Sequence, residues 1–195
     1  RTVLEIEKRF GKRSMGVLEI VYEDDGEDAE ITMVEAGAKT VVHWNKEKGS
    51  ILSAALVYGA ATQSGESDEV IPYLAYGKRL SEKSTLQSSA RVIVPVDDAD
   101  EGEVELAGVV HYEWTVNRQA MFPALEVTAT VPFDAGDGDS VQWTAVPQVR
   151  IGLTRGGLVA LNAGIEFPLS DQSYETRYHL VLLWDFADGS FFKGW

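Results

Sequence analysis

Apolar and polar residues alternate along most of the chain. From Ser84 to Val96 every second side chain, beginning at Leu86, is apolar or small, and polar side chains such as Gln87 and Arg91 lie between them. A period of two residues is typical of β-strands, whose successive side chains point to opposite faces. The alternation predicts about eleven strands, at roughly 2–10, 15–23, 30–44, 50–62, 70–79, 84–96, 103–115, 121–133, 141–153, 157–168 and 174–186.

Most of these segments have the ~9–11 residues that a tilted strand needs to cross a bilayer. Alternation alone fits a soluble antiparallel sandwich or barrel equally well, because such strands also have one apolar and one polar face. The pattern therefore predicts an all-β chain but does not distinguish a soluble protein from a membrane protein.

The connections between the predicted strands alternate in charge. The first is basic, with Lys12 and Arg13, the second is acidic, with Asp24 and Asp25, and this order continues along the chain. If every connection is a hairpin, odd connections gather at one end of the molecule and even connections at the other. A Greek key would mix the two sets, so the order predicts an antiparallel up-and-down meander.

Prolines recur at a fixed spacing before the acidic connections. Pro95, Pro132 and Pro168 are 37 and 36 residues apart. This spacing equals the length of one pair of strands, so it predicts a body built from repeated ββ units. Because proline removes a ladder hydrogen bond, we expect each of these residues to mark the end of a strand.

The two faces of the predicted strands differ in chemistry. Aromatic residues near strand ends are typical of the lipid interface of membrane barrels, and a small soluble core would not accept so many charged residues. The interface candidates are Tyr112, Trp114, Trp143, Tyr178, Trp184 and Phe186. The candidates for a wet lumen are Glu35, Lys39, Arg91, Glu105, His111, Glu113, Glu126, Arg150, Glu166, Arg177 and His179. We therefore predict an antiparallel up-and-down transmembrane β-barrel of about ten to twelve strands.

Composition narrows the function further. The net charge of −14 disfavours nucleic-acid binding. The chain has no cysteine, which removes disulfides, thiolate metal sites and covalent haem attachment. We expect one barrel domain over residues 1–195, no cofactor and no nucleic-acid partner. The expected partners are the lipid bilayer with its lipopolysaccharide and, as an alternative role, a protein held in the lumen or the periplasm.

The end of the chain resembles a known family. The run VPQVRIGLTRGGLVALNAGIEFPL, then YHLVLLWDF and an aromatic tail, is similar to the small bacterial outer-membrane β-barrels of the meta-pathway phenol-degradation, transporter-like family. The resemblance covers roughly Ser50 to Trp195. It implies an even-stranded outer-membrane barrel, usually assigned to transport, whose basic connections face the periplasm and whose acidic connections face outward.

Two features depart from that family. Phe186 would close the last strand, yet residues 187–195 follow it as an aromatic C-terminal tail. Eleven strands is also an odd number. We therefore expect either a further strand before Arg1 or a first segment that lies outside the wall.

We predict a non-enzymatic pore or transport scaffold for small solutes in the bacterial outer membrane. Two alternatives stay open, a structural membrane sleeve for a partner such as a redox protein, and a soluble ligand-binding barrel of the lipocalin kind. His111 or His179 with neighbouring carboxylates could supply acid–base groups, and Ser88 or Ser89 a nucleophile. No local sequence signature of a catalytic nucleophile supports them.

The stretch VPFDAGDGDS carries Asp134, Asp137 and Asp139 among glycines. An EF-hand loop opening at Asp134 would need acidic or amide groups at its third and fifth positions and a glutamate at its twelfth. Two glycines and an alanine occupy those positions. We therefore predict no dedicated metal site, and only weak surface binding of divalent cations by these aspartates.

Overall fold

Twelve antiparallel strands make up most of the chain that the computed structural model describes, namely residues 2–24, 29–116, 119–134, 141–154, 159–172 and 174–184. The strands are β1 (Thr2–Arg9), β2 (Ser14–Asp24), β3 (Ala29–Asn45), β4 (Ser50–Ala61), β5 (Glu69–Arg79), β6 (Ser84–Pro95), β7 (Glu103–Tyr112), β8 (Trp114–Val116), β9 (Gln119–Pro132), β10 (Gln142–Gly152), β11 (Val159–Pro168) and β12 (Arg177–Trp184). A short 3-10 helix, Ala99–Glu101, lies between β6 and β7. In the described residues no helix has the length and hydropathy of a membrane span.

The strands form one sheet in chain order. Each strand pairs with the next one along the chain, except that β7 pairs with β9, and the short β8 pairs with β9 only. This arrangement is the predicted up-and-down meander, and its strand number lies in the predicted range. The first segment belongs to the sheet, because β1 pairs with β2 over its whole length. The expectation that this segment lies outside the wall is therefore wrong.

Two predicted strand boundaries were wrong. The predicted strand 103–115 is divided into β7 and β8 at Glu113, whose backbone N–H donates to the Lys83 carbonyl at 2.7 Å in the register that pairs Tyr112 with Ser84. The last strand begins at Arg177 rather than at residue 174. Phe186, Asp185 and the tail 187–195 lie outside the described residues.

The meander separates the connections into two ends. Four-residue turns at 10–13, 46–49 and 80–83 lie at one end, which we call the basic end. The connections at 62–68, 96–102 and 169–176 lie at the other, the acidic end, and contain no Lys or Arg. Short turns at one end and longer loops at the other are the usual form of outer-membrane barrels.

Proline and bulges shape the strands toward these ends. β6, β9 and β11 end at Pro95, Pro132 and Pro168, as the repeat predicted. In β3 the register shifts near Thr32 against β2 and near Val42 against β4. Such bulges bend a strand and increase its twist, which helps a sheet curve.

The register assigns residues to two faces. Leu56, Leu74 and Leu106 belong to a face of exposed large hydrophobic side chains, which we call the apolar face. The opposite face, the polar face, carries Arg91 and Glu105, which lie directly across the β6–β7 ladder. Residues of β1 to β7 and β9 on the polar face line one cavity, so the sheet curves with its polar face inward.

Candidate functional site

The polar face encloses a cavity of about 580 Å³. Lys39, Tyr73, Gln87 and Glu126 are among the residues that line it, and they come from β3, β5, β6 and β9. Side chains from strands far apart in sequence converge because the meander is curved. The cavity is therefore a property of the whole sheet rather than of one hairpin.

The structure brings most of the predicted lumen candidates to this face. Ladder partners place ten of them there: Glu35, Lys39, Arg91, Glu105, His111, Glu126, Arg150, Glu166, Arg177 and His179. Glu113 differs, because it lies in the break between β7 and β8. It lines a second cavity of about 310 Å³ with His111 and Lys83 at the basic end.

Two ion pairs bridge strands on the polar face. The Lys39 ammonium lies 2.6 Å from a Glu7 carboxylate oxygen, and thus reaches from β3 across β2 to β1. The Arg91 guanidinium lies 2.7 Å from a Glu105 carboxylate oxygen on the neighbouring strand. Both pairs hold their cations against the wall, so these cations are already engaged by carboxylates.

A third group of charges surrounds Glu166 near the acidic end. The Glu166 carboxylate accepts a hydrogen bond from the Tyr174 hydroxyl, and lies 2.9 Å from His179 Nε2 and 3.7 Å from an Arg177 nitrogen. The Arg177 guanidinium also lies 3.7 Å above the Tyr174 ring, in cation–π contact. Partial desolvation, followed by the bond to Glu166, raises the pKa of Tyr174 to about 12. Tyr174 therefore stays a neutral donor at physiological pH.

Two neutral side chains connect Glu126 to the neighbouring strands. Gln148 donates to Glu126 at 2.8 Å, and Asn162 donates to Gln148 at 2.7 Å. This chain of hydrogen bonds crosses β9, β10 and β11. It fixes the orientation of Glu126, which lines the cavity.

Sequence reasoning missed a row of carboxylates. Glu5, Glu19 and Glu35 lie directly opposite one another across β1, β2 and β3. Like charges at facing positions disfavour pairing of the strands, so such a row is unusual. The period-two pattern could have assigned Glu5 and Glu19 to this face, but only the register brings them into one line.

Sequence reasoning also missed apolar residues on the polar face. Val21 and Ile71 share this face with the charges, yet only 2% and 5% of their surfaces are exposed. A side chain on the concave face of a sheet becomes buried when side chains from other strands cover it. The interior is therefore partly filled at the level of these residues.

The aromatic candidates lie on the opposite face. Tyr112, Trp114, Trp143 and Tyr178 are exposed there. The backbone of Trp184 belongs to β12, but its side chain and all of Phe186 lie outside the described residues.

The structure does not place the aspartate candidates for metal binding or the serine candidates for catalysis in a site. Asp134 is exposed at a strand end, whereas Asp137 and Asp139 lie outside the described residues. Where the chain is described, no three His, Asp or Glu residues are grouped to hold a metal ion. Of the serines, Ser89 faces the cavity with Ala107 opposite it, and Ser88 belongs to the apolar face.

Comparisons with known proteins support the fold. A solved structure described as the KdgM porin in complex with disordered oligogalacturonate has a TM-score of 0.65 and 14% sequence identity, and covers 92% of this chain and 88% of its own. The NanC porin has a TM-score of 0.65 and 7% identity, with 93% of this chain and 91% of NanC covered. No protein-family model and no curated protein matches the chain. The chain therefore has the fold of these porins.

Proposed function

We propose that this protein is a pore of the bacterial outer membrane through which small hydrophilic solutes pass. The observation that carries the proposal is the division of the curved sheet into an apolar face turned outward and a charged face turned inward around a cavity. Hydrocarbon accepts the first face, and water with polar solutes accepts the second. The ten polar-face candidates named above, with Glu113 at the basic end, are the proposed pore lining.

The apolar face argues against a soluble ligand-binding barrel. Such a barrel would turn its large hydrophobic side chains inward and its charges to the solvent. Here Leu56, Leu74 and Leu180 are exposed, and the Arg91–Glu105 pair is on the inner side. Contiguous exposed apolar surface of this kind marks an interaction with lipid or protein.

The two porins of similar fold support the proposal that the solutes are hydrophilic organic molecules. One of them holds an oligogalacturonate, which is a hydrophilic organic molecule. We propose solutes of that general character for this chain, and membership of the meta-pathway phenol-degradation, transporter-like family as its finer assignment. The charges of this lining select among such solutes, as rings of charged side chains do in other pores.

Conductance across a planar bilayer tests the proposal. We expect the refolded protein to give small single-channel currents, because Val21 and Ile71 fill part of the interior. Replacing Ile71 by alanine removes part of that filling and should raise the conductance. The matched control is Leu74→Ala, which shortens an exposed side chain on the apolar face.

A channel that stays closed under voltage in the wild type and in Ile71→Ala would exclude the pore. The same result would favour a closed membrane sleeve or anchor for a protein partner. The buried Val21 and Ile71 are the specific observation that favours this second candidate. Equal conductance changes in Ile71→Ala and Leu74→Ala would show that Ile71 does not constrict the path.

A further inference from the structure

Large apolar side chains extend the apolar face past the ladders at the basic end. Phe10, Leu80, Trp114 and Leu153 continue the apolar face of their strands, and between 51% and 66% of their surfaces are exposed. The first two lie in tight turns, where the Phe10 N–H donates to the Ser14 carbonyl at 3.1 Å and the Leu80 N–H to the Ser84 carbonyl at 2.9 Å. Ordered backbone therefore holds these side chains at the rim.

The same rim is rich in cations. Lys12 and Arg13 are exposed in the first turn, Lys46 and Lys48 in the second, and Lys83 in the third, whereas Glu47 and Glu82 are the carboxylates of these three turns. Lys8 and Lys78 lie at the ends of their strands on the apolar face, opposite Gly16 and Ser50. We call the apolar residues and cations of this end the basic rim. Its cations lie around the outside of the barrel as well as at the mouth.

The acidic end has a similar apolar ring but the opposite charge. Val96, Phe133 and Leu169 are exposed directly after their strands, and each is followed by aspartate within two positions, at Asp97, Asp134 and Asp171. The apolar rings would seat both ends at a lipid interface. The two ends differ in the sign of their charged residues, and this sign determines whether an end attracts or repels anionic lipid headgroups.

We propose that the basic rim binds anionic phospholipid headgroups of the leaflet that surrounds it, with phosphatidylglycerol as the representative lipid. The inference rests on the proposed membrane location of the barrel. Lys and Arg can place their stems against acyl chains while the charge reaches the phosphate layer. Basic segments at a membrane surface attract anionic lipids over about a Debye length. The rim thus provides a hydrophobic anchor and a charge-selective contact at one height.

Two tryptophans provide matched probes on one face. Trp114 belongs to the basic rim, and its neighbour Glu113 is bonded to Lys83 and lines a cavity with Arg79 and Lys83. Trp143 lies on the same apolar face at the acidic end, where its carbonyl accepts from the Leu169 N–H at 2.8 Å. Both side chains are exposed. They therefore report lipid contact at the two ends of one barrel.

The experiment measures tryptophan fluorescence in vesicles of phosphatidylcholine mixed with phosphatidylglycerol. Two single-tryptophan proteins keep Trp114 or Trp143, with phenylalanine at the other tryptophan positions. In one sample only the phosphatidylglycerol is brominated, and in the other only the phosphatidylcholine, at equal mole fractions. We expect Trp114 to be quenched roughly two-fold more by brominated phosphatidylglycerol than by brominated phosphatidylcholine at low salt. We expect no such excess at Trp143.

Charge variants and salt complete the test. Lys46→Gln, Lys48→Gln and Lys78→Gln together should remove most of the excess at Trp114, and so should high salt. Asp97→Asn, Asp100→Asn and Glu101→Gln change the same number of charges at the acidic end and should preserve it. Equal quenching of Trp114 by the two lipids, or an equal excess at Trp143, would overturn the inference while leaving the barrel in the membrane. Absence of quenching at both tryptophans would instead contradict the proposed membrane location.

Discussion

At the scale of single residues, charges on the polar face are matched across strands. Arg91 faces Glu105 directly across one ladder, and Arg177 faces Glu166 across another. Facing positions in an antiparallel pair bring the two side chains into contact. Opposite charges at these positions therefore stabilise the register of the two strands and also neutralise each other. The sequence pattern could assign these residues to a face, but not to each other, because the partner depends on the register of two strands.

Gly37 shows how closely the wall packs at one point of this face. A Cβ atom at this position would lie 2.5 Å from the Leu56 carbonyl oxygen and 2.7 Å from a Val57 methyl carbon. The Val57 Cα atom would lie at 2.9 Å, and because this atom and the Leu56 oxygen belong to the backbone, β4 would have to shift. We expect Gly37→Ala to lower the free energy of unfolding by about 1–3 kcal/mol, as overpacking does elsewhere. Denaturant unfolding of the refolded protein in detergent micelles measures the change.

Gly108→Ala is the control for this prediction. Gly108 lies in a strand of the same sheet, yet a Cβ atom there would meet nothing within 4 Å. Its substitution should leave the free energy of unfolding nearly unchanged. Equal losses in the two variants would show that the general effect of replacing glycine in a strand, rather than the contact with β4, sets the cost.

At the scale of elements, the connection 62–68 is tied to the sheet by its last residue. The Asp68 carboxylate accepts hydrogen bonds from the Tyr58 hydroxyl and, at 3.0 Å, from the Ala61 N–H. The Asp68 carbonyl accepts from the Val96 N–H at 2.8 Å, which joins this connection to the next one. The Asp68 carboxylate therefore ties the C-terminal end of this loop to β4.

This carboxylate makes the loop sensitive to acid. The two hydrogen bonds lower the pKa of Asp68 below its ordinary value, with the Tyr58 hydroxyl as the larger cause. The contribution of Asp68 to stability is thus present above its unfolded-state pKa of ~3.9, and is lost as pH falls through the lower folded-state pKa. We expect protection of the Ala61 amide from hydrogen exchange to fall in that acidic range. Mass spectrometry at a series of pH values measures it.

Asp68→Asn should reduce this protection already at neutral pH, because an amide accepts these bonds less strongly than a carboxylate. Glu66→Gln removes a charge from the same loop and should leave the protection in place. Protection that is independent of pH in the wild type would contradict the role assigned to Asp68.

Most elements of this fold could be predicted from the sequence, since period-two alternation and proline at strand ends are local signals. The break at Glu113 could not, because this residue continues the period-two alternation of β7. The burial of Val21 and Ile71 inside the sheet could not be predicted either, because nothing in the local sequence distinguishes them from other apolar strand residues. Their burial depends on side chains from strands remote in sequence.

At the scale of the whole molecule, carboxylates are abundant on the polar face and at one mouth. In the described strands this face carries the cations Arg9, Lys39, Arg79, Arg91, Arg150 and Arg177, and three of them are held in ion pairs with carboxylates. The row of Glu5, Glu19 and Glu35 adds negative charge beside them. The acidic connections add more at the proposed outer mouth. Such a path favours cations over anions.

We therefore expect the proposed pore to pass potassium more readily than chloride by a few fold. The measurement is the reversal potential of the refolded protein under a gradient of potassium chloride, which should have the sign of a cation-selective channel. The triple variant Glu5→Gln, Glu19→Gln and Glu35→Gln should move it toward zero. Glu101→Gln, at the outer loops, should move it less. A reversal potential of the opposite sign would contradict the assignment of cation selectivity to these carboxylates.

The regular return of Pro95, Pro132 and Pro168 has an evolutionary consequence. Each repeat leaves the acidic end, turns at the basic end and comes back, so it begins and finishes at the same end of the barrel. Gaining or losing one such unit changes the girth of the wall while keeping the orientation of every other strand. The charge at each end is preserved as well. A lineage built on this unit can therefore alter the width of its barrel by duplication, without redesigning either end.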